Sequence, residues 1–407
     1  VTEQHDPKLS LGEFVPLLAL MVSLVALSID AMLPVLPHIG TDLKVRTENE
    51  QQLIVSTLLL GLGFGQLFFG PLSDSLGRKR TIYIGYVIFV LGCVLSIAAT
   101  NFEVMLLGRV LQGIGAASPR IVSIAVVRDQ YEGREMARIM SFIMGVFIIV
   151  PALAPAVGQA VVMVTHWRGI FVFFLILACL TWTWFALRQP ETLPRSARIG
   201  FSFPIVWAGV KEACSYRQTV GYTVVAGLVF ASFIAYLSSA QQIFSGIYGI
   251  TITFPLYFAV LALFMGVSTI ANAMLVERLG MRLLSGYALA GVTLISIAYF
   301  LYTILAGGVT GFEITMVYFA VIFFIFGFLF GNLNALAMVP LGHIAGVGAA
   351  VVGSISTLIS VPFGAAIGLM YNGTVLPLVG GFALFGALAG LIMIKIERHA
   401  TVQGNNV

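Results

Sequence analysis

Asp30 lies in the apolar stretch Leu27-Ser-Ile-Asp-Ala-Met-Leu-Pro34 and is the one acidic residue set well inside a hydrophobic run. An ionisable group there is costly, and such groups mark proton or ion pathways by default. Its outer flank is unusual too. Pro34 has no amide to bond the Asp30 carbonyl, and Pro37 does the same to Leu33, so bare backbone oxygens gather beside the carboxylate and the helix kinks. Arg109 stands in another apolar run. If Asp30 is nine residues from the outer end of its helix near Ile39, it lies about 14 Å deep; Arg109, some six residues from its own outer end, lies about 9 Å deep. These depths are compatible with pairing. Burial favours the neutral acid and a nearby guanidinium favours the carboxylate, and a balance between them gives the proton affinity a reversible carrier needs. The alternative for Asp30 is a structural hydrogen bond to a neighbouring helix.

Other polar residues fall at helical spacings within apolar runs. Gln112 follows Arg109 by one turn and is either a second polar contact or interhelical glue. Tyr236, Gln241 and Gln242, and Asn332 and Asn334, either line a cavity or pack helices. Arg120 is close enough to Arg128 for its side chain to reach water. The segment Gly70-Pro-Leu-Ser-Asp-Ser-Leu-Gly-Arg-Lys-Arg80 combines turn-forming Gly70 and Gly77 with Asp74, suited to a helix cap or an arginine partner, and Arg78. A basic topogenic loop accounts for its cations but not for its Gly and Asp spacing. Cys93, Cys179 and Cys214, like the five histidines, are dispersed, so no metal site or disulfide set is implied. No GxxxxGK[ST] loop occurs, and glycine runs such as Gly61-Leu-Gly-Phe-Gly65 lie in apolar helices without a preceding strand.

The elements that must position these residues are membrane helices. Hydrophobic residues make up 59% of the chain, charged ones 9%, and mean hydropathy is +1.02. A water-soluble globule carries about 25% charge. Apolar runs near 14–39, 51–72, 81–100, 103–125, 138–163 and 168–188, then 218–246, 252–276, 282–306, 314–337, 346–372 and 373–395, each meet the length a spanning helix needs. The expected fold is therefore all-α, with twelve transmembrane helices in two six-helix bundles, 1–188 and 218–407, joined by a basic cytoplasmic linker at 189–217. Phe203, Val206, Trp207 and Val210 share one face of that linker, as in a short interfacial helix; a structureless linker is the other reading. Polar Val1–Glu13 runs directly into a span longer than a signal peptide's apolar core, so no cleavable signal is expected.

Cations fix the sidedness. With Lys8 inside, so are Arg78, Lys79 and Arg80, then Arg128, Arg134 and Arg138, the linker cations, Arg278 and Arg282, and Lys395 and Arg398. Only Lys44, Arg46 and Arg168 fall outside, which places both termini in the cytosol. The net charge of +4 with a pI near 9.0 marks topology, not nucleic-acid binding. Asp74-Ser-Leu-Gly77 recurs as Glu277-Arg-Leu-Gly280, 203 residues later in a 407-residue chain. Such duplication suits a carrier whose binding site lies between rocking halves.

The 70–80 segment resembles the signature loop of the major facilitator superfamily. Arg109-Val-Leu-Gln-Gly-Ile-Gly-Ala-Ala117 is similar to the intramembrane arginine motif of its proton-driven drug exporters, and Pro151 to Gly158 resembles the antiporter motif of span 5, with Gln159 where a second glycine is usual. Leu27 to Pro34, Phe254 to Phe258, and Ala337 to Gly346 resemble the bicyclomycin/chloramphenicol-resistance (Bcr/CflA) branch. The resemblance covers nearly the whole chain. It implies a monomeric, multi-pass protein of a bacterial inner membrane that exports small amphipathic, drug-like compounds by alternating access in exchange for protons, with no cofactor beyond the proton gradient. Asp30 and Arg109 would couple the proton. Asp30, Gln112, Tyr236, Gln241, Asn332 and Asn334 would face substrate, while Gly70, Asp74, Gly77 and Arg78 would gate. Its partners would be substrate, protons and the bilayer.

Two other classes compete. A buried carboxylate serves proton-coupled symport, or export of one specific metabolite, as readily as drug antiport. A membrane enzyme acting on lipids would need clustered His, Ser/His/Asp or metal-ligand residues at membrane depth, and the sequence offers none.

Overall fold

The computed structural model describes residues 9–200 and 202–404, apart from the side chains of Ala137, Met144, Phe147, Ile148, Phe203, Ile205, Val206 and residues 399–404. Lys8, His5 and the Phe203 and Val206 side chains of the expected linker face lie outside these residues.

Among the described residues all regular structure is helical. With no water in a bilayer interior, each backbone amide must bond within its own segment, and long apolar runs do so as helices. In chain order these are α1 (Leu11–Asp30), α2 (Leu36–Asp42), α3 (Leu53–Leu76), α4 (Arg78–Ile97), α5 (Phe102–Gln130), α6 (Gly133–Val164), α7 (Arg168–Arg188), α8 (Phe203–Ser215), α9 (Arg217–Gln242), α10 (Phe254–Leu279), α11 (Met281–Leu305), α12 (Phe312–Met338), α13 (Ala345–Leu369) and α14 (Leu376–Gly404). Among the described residues ten helical runs are long and apolar enough to cross a membrane, and one of them, Phe312–Leu369, holds both α12 and α13. A tight turn at Val339–Ile344 joins that pair. In α6, Ile149–Val164 is a shorter apolar stretch.

The expected span at 14–39 is not one helix. α1 stops at Asp30, the Ala31 amide still reaches the Leu27 carbonyl at 3.1 Å, and the chain continues as a 3-10 turn at Leu33–Val35 and then α2. Pro34 and Pro37 are the physical cause, since neither supplies the amide an uninterrupted helix needs. Elsewhere the stops and starts are local. Asn101 caps α5 by accepting the Val104 amide at 2.9 Å, and Pro255 occupies the first turn of α10.

The chain divides into two compact units, Val1–Lys44 with Thr57–Val206 and Val45–Ser56 with Trp207–Val407. In the first, α4 and α5 meet backbone to backbone: a Cβ on Gly115 would lie 2.4 Å from the Phe89 amide nitrogen. Small residues permit such approach where lipid supplies no hydrophobic drive. In the second, aromatic rings fill the interior. Tyr236 packs on Phe258, Phe319 and Phe323, the last at 4.6 Å between centroids. Residues 45–56 join this unit through amides: Asn49 Nδ2 donates to the Leu369 and Tyr371 carbonyls at 2.9 and 2.8 Å, and Gln52 donates to Gln242 Oε1. The linker does form a helix, α8. Its Trp207 is exposed, its Ala213 is buried, and its Gly209 sits against Val347.

Candidate functional site

Asp30 is the last residue of α1 and is buried, 5% exposed. Among the described residues it takes part in no ion pair and no side-chain hydrogen bond. Its position at the C-terminal end of a helix adds to the burden of a negative charge, because that end carries the helix's own partial negative charge. An isolated buried carboxylate is expensive, and a proton or a cationic guest removes the expense.

Arg109, fully buried on α5, comes to α1 but not to the Asp30 carboxylate. Its NH2 donates to the Ser28 backbone oxygen at 2.5 Å and its NH1 to Gln112 Oε1 at 2.6 Å. Ser28 lies in the last turn of α1, where carbonyls have no amide ahead of them, so Arg109 is a cationic cap supplied by another helix. Phe171 of α7 covers the guanidinium, with its ring centroid 5.8 Å from the central carbon. Gln112 is also fully buried and passes the contact on, donating to Ser96 Oγ of α4 at 3.2 Å. The direct Asp30–Arg109 pair compatible with their depths is therefore replaced by a shared helix end. Gln112 orients Arg109 between α5 and α4. Arg120, about three turns further along α5, is partly exposed.

The expected gating residues form a second cluster in the same unit. Gly70 sits within α3, and Gly77 is the cap between α3 and α4, with φ 96° and ψ 161°. Arg78 is the hub: NH1 meets Asp74 Oδ1 at 2.5 Å and Ser73 Oγ at 2.7 Å, while Nε meets Asp129 Oδ2 at 2.8 Å. The missing cap at Gly77 comes from the linker. Glu191 accepts the backbone amides of Arg78 at 2.9 Å and Lys79 at 3.1 Å, and pairs with Arg198 at 3.6 Å. Thr192 donates to Asp129 at 2.7 Å, and the Ile199 amide to the Asp74 carbonyl at 3.1 Å. A carboxylate at a helix N-terminus satisfies orphan amides and opposes the dipole.

The remaining candidates belong to the second unit. Tyr236 is enclosed by rings, as described. Gln241 is 8% exposed. Asn332 forms a reciprocal amide pair with Asn272 of α10, at 2.8 and 3.2 Å, which is helix-to-helix packing. Asn334 is exposed and donates to the Phe330 carbonyl of its own helix at 2.9 Å. Sequence reasoning missed Asn272, Asp129 and Glu191. Glu191 alone left a signal: it is an acid set just ahead of the cations Arg195 and Arg198.

The comparisons agree with this architecture. A family model described as Major Facilitator Superfamily matches residues 18–365. The uncharacterized MFS-type transporter YdgK of Bacillus subtilis is 31% identical over 266 residues, 65% of each chain. The bicyclomycin resistance protein homolog of Haemophilus influenzae is 28% identical over 68% of this chain and 70% of its own. The chloramphenicol resistance protein of Pseudomonas aeruginosa is 31% identical over 71% of this chain and 69% of its own. The chain thus spans about two thirds of the length of these relatives. In fold it is similar to the xylose transporter XylE of E. coli in a partially occluded inward-open conformation, with TM-score 0.70, 15% identity and coverage of 95% and 97%. The human organic anion transporter MFSD10 gives 0.68, 16%, 95% and 100%. With its helical fold and a matched model running over most of its length, the chain belongs to the major facilitator superfamily.

Proposed function

We propose that this chain exports small amphipathic compounds in exchange for protons, by alternating access, across a bacterial inner membrane. The reading rests on one observation above others: a buried carboxylate, Asp30, stands without an ion pair at a helix end whose carbonyl is held by a buried arginine. In this reading proton and substrate compete for Asp30. Arg109, already bonded two residues away, exchanges the Ser28 carbonyl for the carboxylate when neither guest is bound, and so keeps the empty state from stranding a bare charge. Twelve spans in two six-helix halves with both termini in the cytosol complete the proposal, as does action as a monomer with no cofactor beyond the proton gradient.

The relatives named for bicyclomycin and chloramphenicol resistance, and a Citrobacter koseri multidrug resistance protein, MdtL, 35% identical over 151 residues, support drug-like cargo. The test is substrate-evoked pH change inside proteoliposomes, comparing the intact protein with Asp30→Asn across phenicols, dyes and small metabolites. Proton movement opposite to substrate, abolished in the variant, is the expected result. Co-directional movement would make the protein a symporter, and export of a single metabolite in the panel would replace drug export with a specific carrier.

A further inference from the structure

Gly158 lies in the proline-rich segment of α6 that the proton-site argument left unused. A Cβ built on it would fall 1.9 Å from the Ala31 carbonyl oxygen, 2.8 Å from its carbon and 3.0 Å from its Cα. All three atoms are backbone, so no side chain can swing aside. Ala31 is the first residue beyond α1, fully buried, and its Cα is joined directly to the peptide unit that follows Asp30. The chain there has no regular helix to hold it, because Pro34 and Pro37 have removed the amides that would bond the Asp30 and Leu33 carbonyls. Bare Cα–H groups set against carbonyl oxygens are recurrent at helix contacts.

We propose that Gly158 is a positioning residue for Asp30: the α6 backbone at Gly158 is the seat on which the broken end of α1 rests, and it fixes where the carboxyl points. Two contacts then hold that end from different sides, Arg109 on the Ser28 carbonyl and Gly158 on the Ala31 carbonyl. The division of labour follows from chemistry. Arg109 supplies charge, whereas Gly158 supplies only shape, since α6 carries no titratable residue between Arg138 and Val164. Of the other elements packed on α1, α5 brings Arg109 and Arg120, with Glu103, Arg128 and Asp129 at its ends and Cys93 of α4 beside Arg109, and α7 brings Arg168, Cys179 and Arg188. Substituting Gly158 therefore alters the placement of Asp30 without altering the charges around it.

The inference rests on the proton-coupling reading of Asp30, and its test is separable from that reading. Dicyclohexylcarbodiimide modifies buried protonated carboxyls, and peptide mapping by mass spectrometry reports its pH profile at Asp30 alone, without any transport. Gly158→Ala is expected to move the midpoint of that profile by at least about 0.5 pH unit, within the range over which surroundings shift carboxyl titration. Gly115→Ala is the matched control: its Cβ would lie 2.4 Å from the Phe89 nitrogen and 2.6 Å from the Gly85 oxygen, again backbone, at the α4–α5 contact. It should lower thermal stability comparably and leave the Asp30 profile in place. An unmoved profile in Gly158→Ala, or an equal movement in both variants, overturns the proposal. If Gly158→Ala does not fold, Gln159→Gly loosens the same stretch of α6 without adding an atom, and an unmoved profile there overturns it as well. A shifted profile together with coupled transport surviving Asp30→Asn keeps the seat and sinks the coupling reading. The converse pair of results does the opposite.

Discussion

Gly77 and Gly280 each end one long helix and start the next, with φ and ψ of 96° and 161° at the first and 79° and 152° at the second. This region of backbone space is open in practice to glycine alone. Their surroundings differ. The Cβ position of Gly77 lies 2.5 Å from Glu191 Oε2 and 2.7 Å from Arg198 NH2, whereas that of Gly280 meets nothing within 4 Å. Asp74, three residues before the first turn, is bonded to Arg78; Glu277, three before the second, is exposed. The recurrence of an acid, two residues and a glycine accounts for the shared backbone. The clamp comes from outside the repeated segment, from Asp129 on α5 and from a linker that follows α7 only. A turn of the same backbone is thus a common frame, and what distinguishes the two is which distant residues bond to one of them.

The comparison is broken most strongly at Arg78. It is 7% exposed and holds Asp129, whose side chain is 18% exposed. Arg78→Ala strips the partner from a mostly buried carboxylate, and we expect a loss of about 3 kcal/mol, the low end for breaking such a pair because Asp74 is half in solvent. The pair nearest the second turn, Arg282 with Glu397 at 3.5 Å, is more open to water, and Tyr222 still donates to Glu397 when Arg282 is lost. Arg282→Ala should cost about 0.5 kcal/mol. Reversible unfolding in mixed micelles measures both, and equal losses would remove the distinction between the turns.

Alanine at the two glycines sharpens the comparison. Both variants carry the same backbone penalty, about 2 kcal/mol for a residue with a Cβ in this region. Gly77→Ala also displaces Glu191, adding about 1 kcal/mol for a lost helix cap. Gly280→Ala displaces nothing. The excess at Gly77 should vanish when Glu191→Ala is already present, a coupling of about 1 kcal/mol in a double-mutant cycle. Additivity would mean that the glycine's strain, not the linker's carboxylate, sets the cost.

How much of this was legible beforehand depended on whether one segment sufficed. The apolar runs marked the helices, Pro34 and Pro37 marked the break beside Asp30, and the spacing of Arg109 and Gln112 announced their contact. Depth along a helix follows from its rise, but the direction a side chain takes about the helix axis does not, so depth brings Arg109 to the end of α1 without choosing the Ser28 carbonyl over the Asp30 carboxylate. Asn272, the partner of Asn332, leaves no mark in the sequence, because a single asparagine among Val, Ser, Thr and Ala carries no period. Glu191 acts on amides 113 and 112 residues earlier in the chain, and no local pattern encodes that distance.

The smallest effect tests the cap alone. Glu191→Gln keeps the shape and one carbonyl oxygen, so the Arg78 amide can still be met, but an NH2 then stands where Oε2 received the Lys79 amide. The change also removes the charge that opposes the α4 dipole and the partner of Arg198. We expect about 1 kcal/mol in all, part of it from charge and therefore smaller at high ionic strength. A loss independent of salt would assign the whole cap to geometry. A loss as large as that of Arg78→Ala would make the linker, and not the arginine, the member of the cluster that holds the first turn.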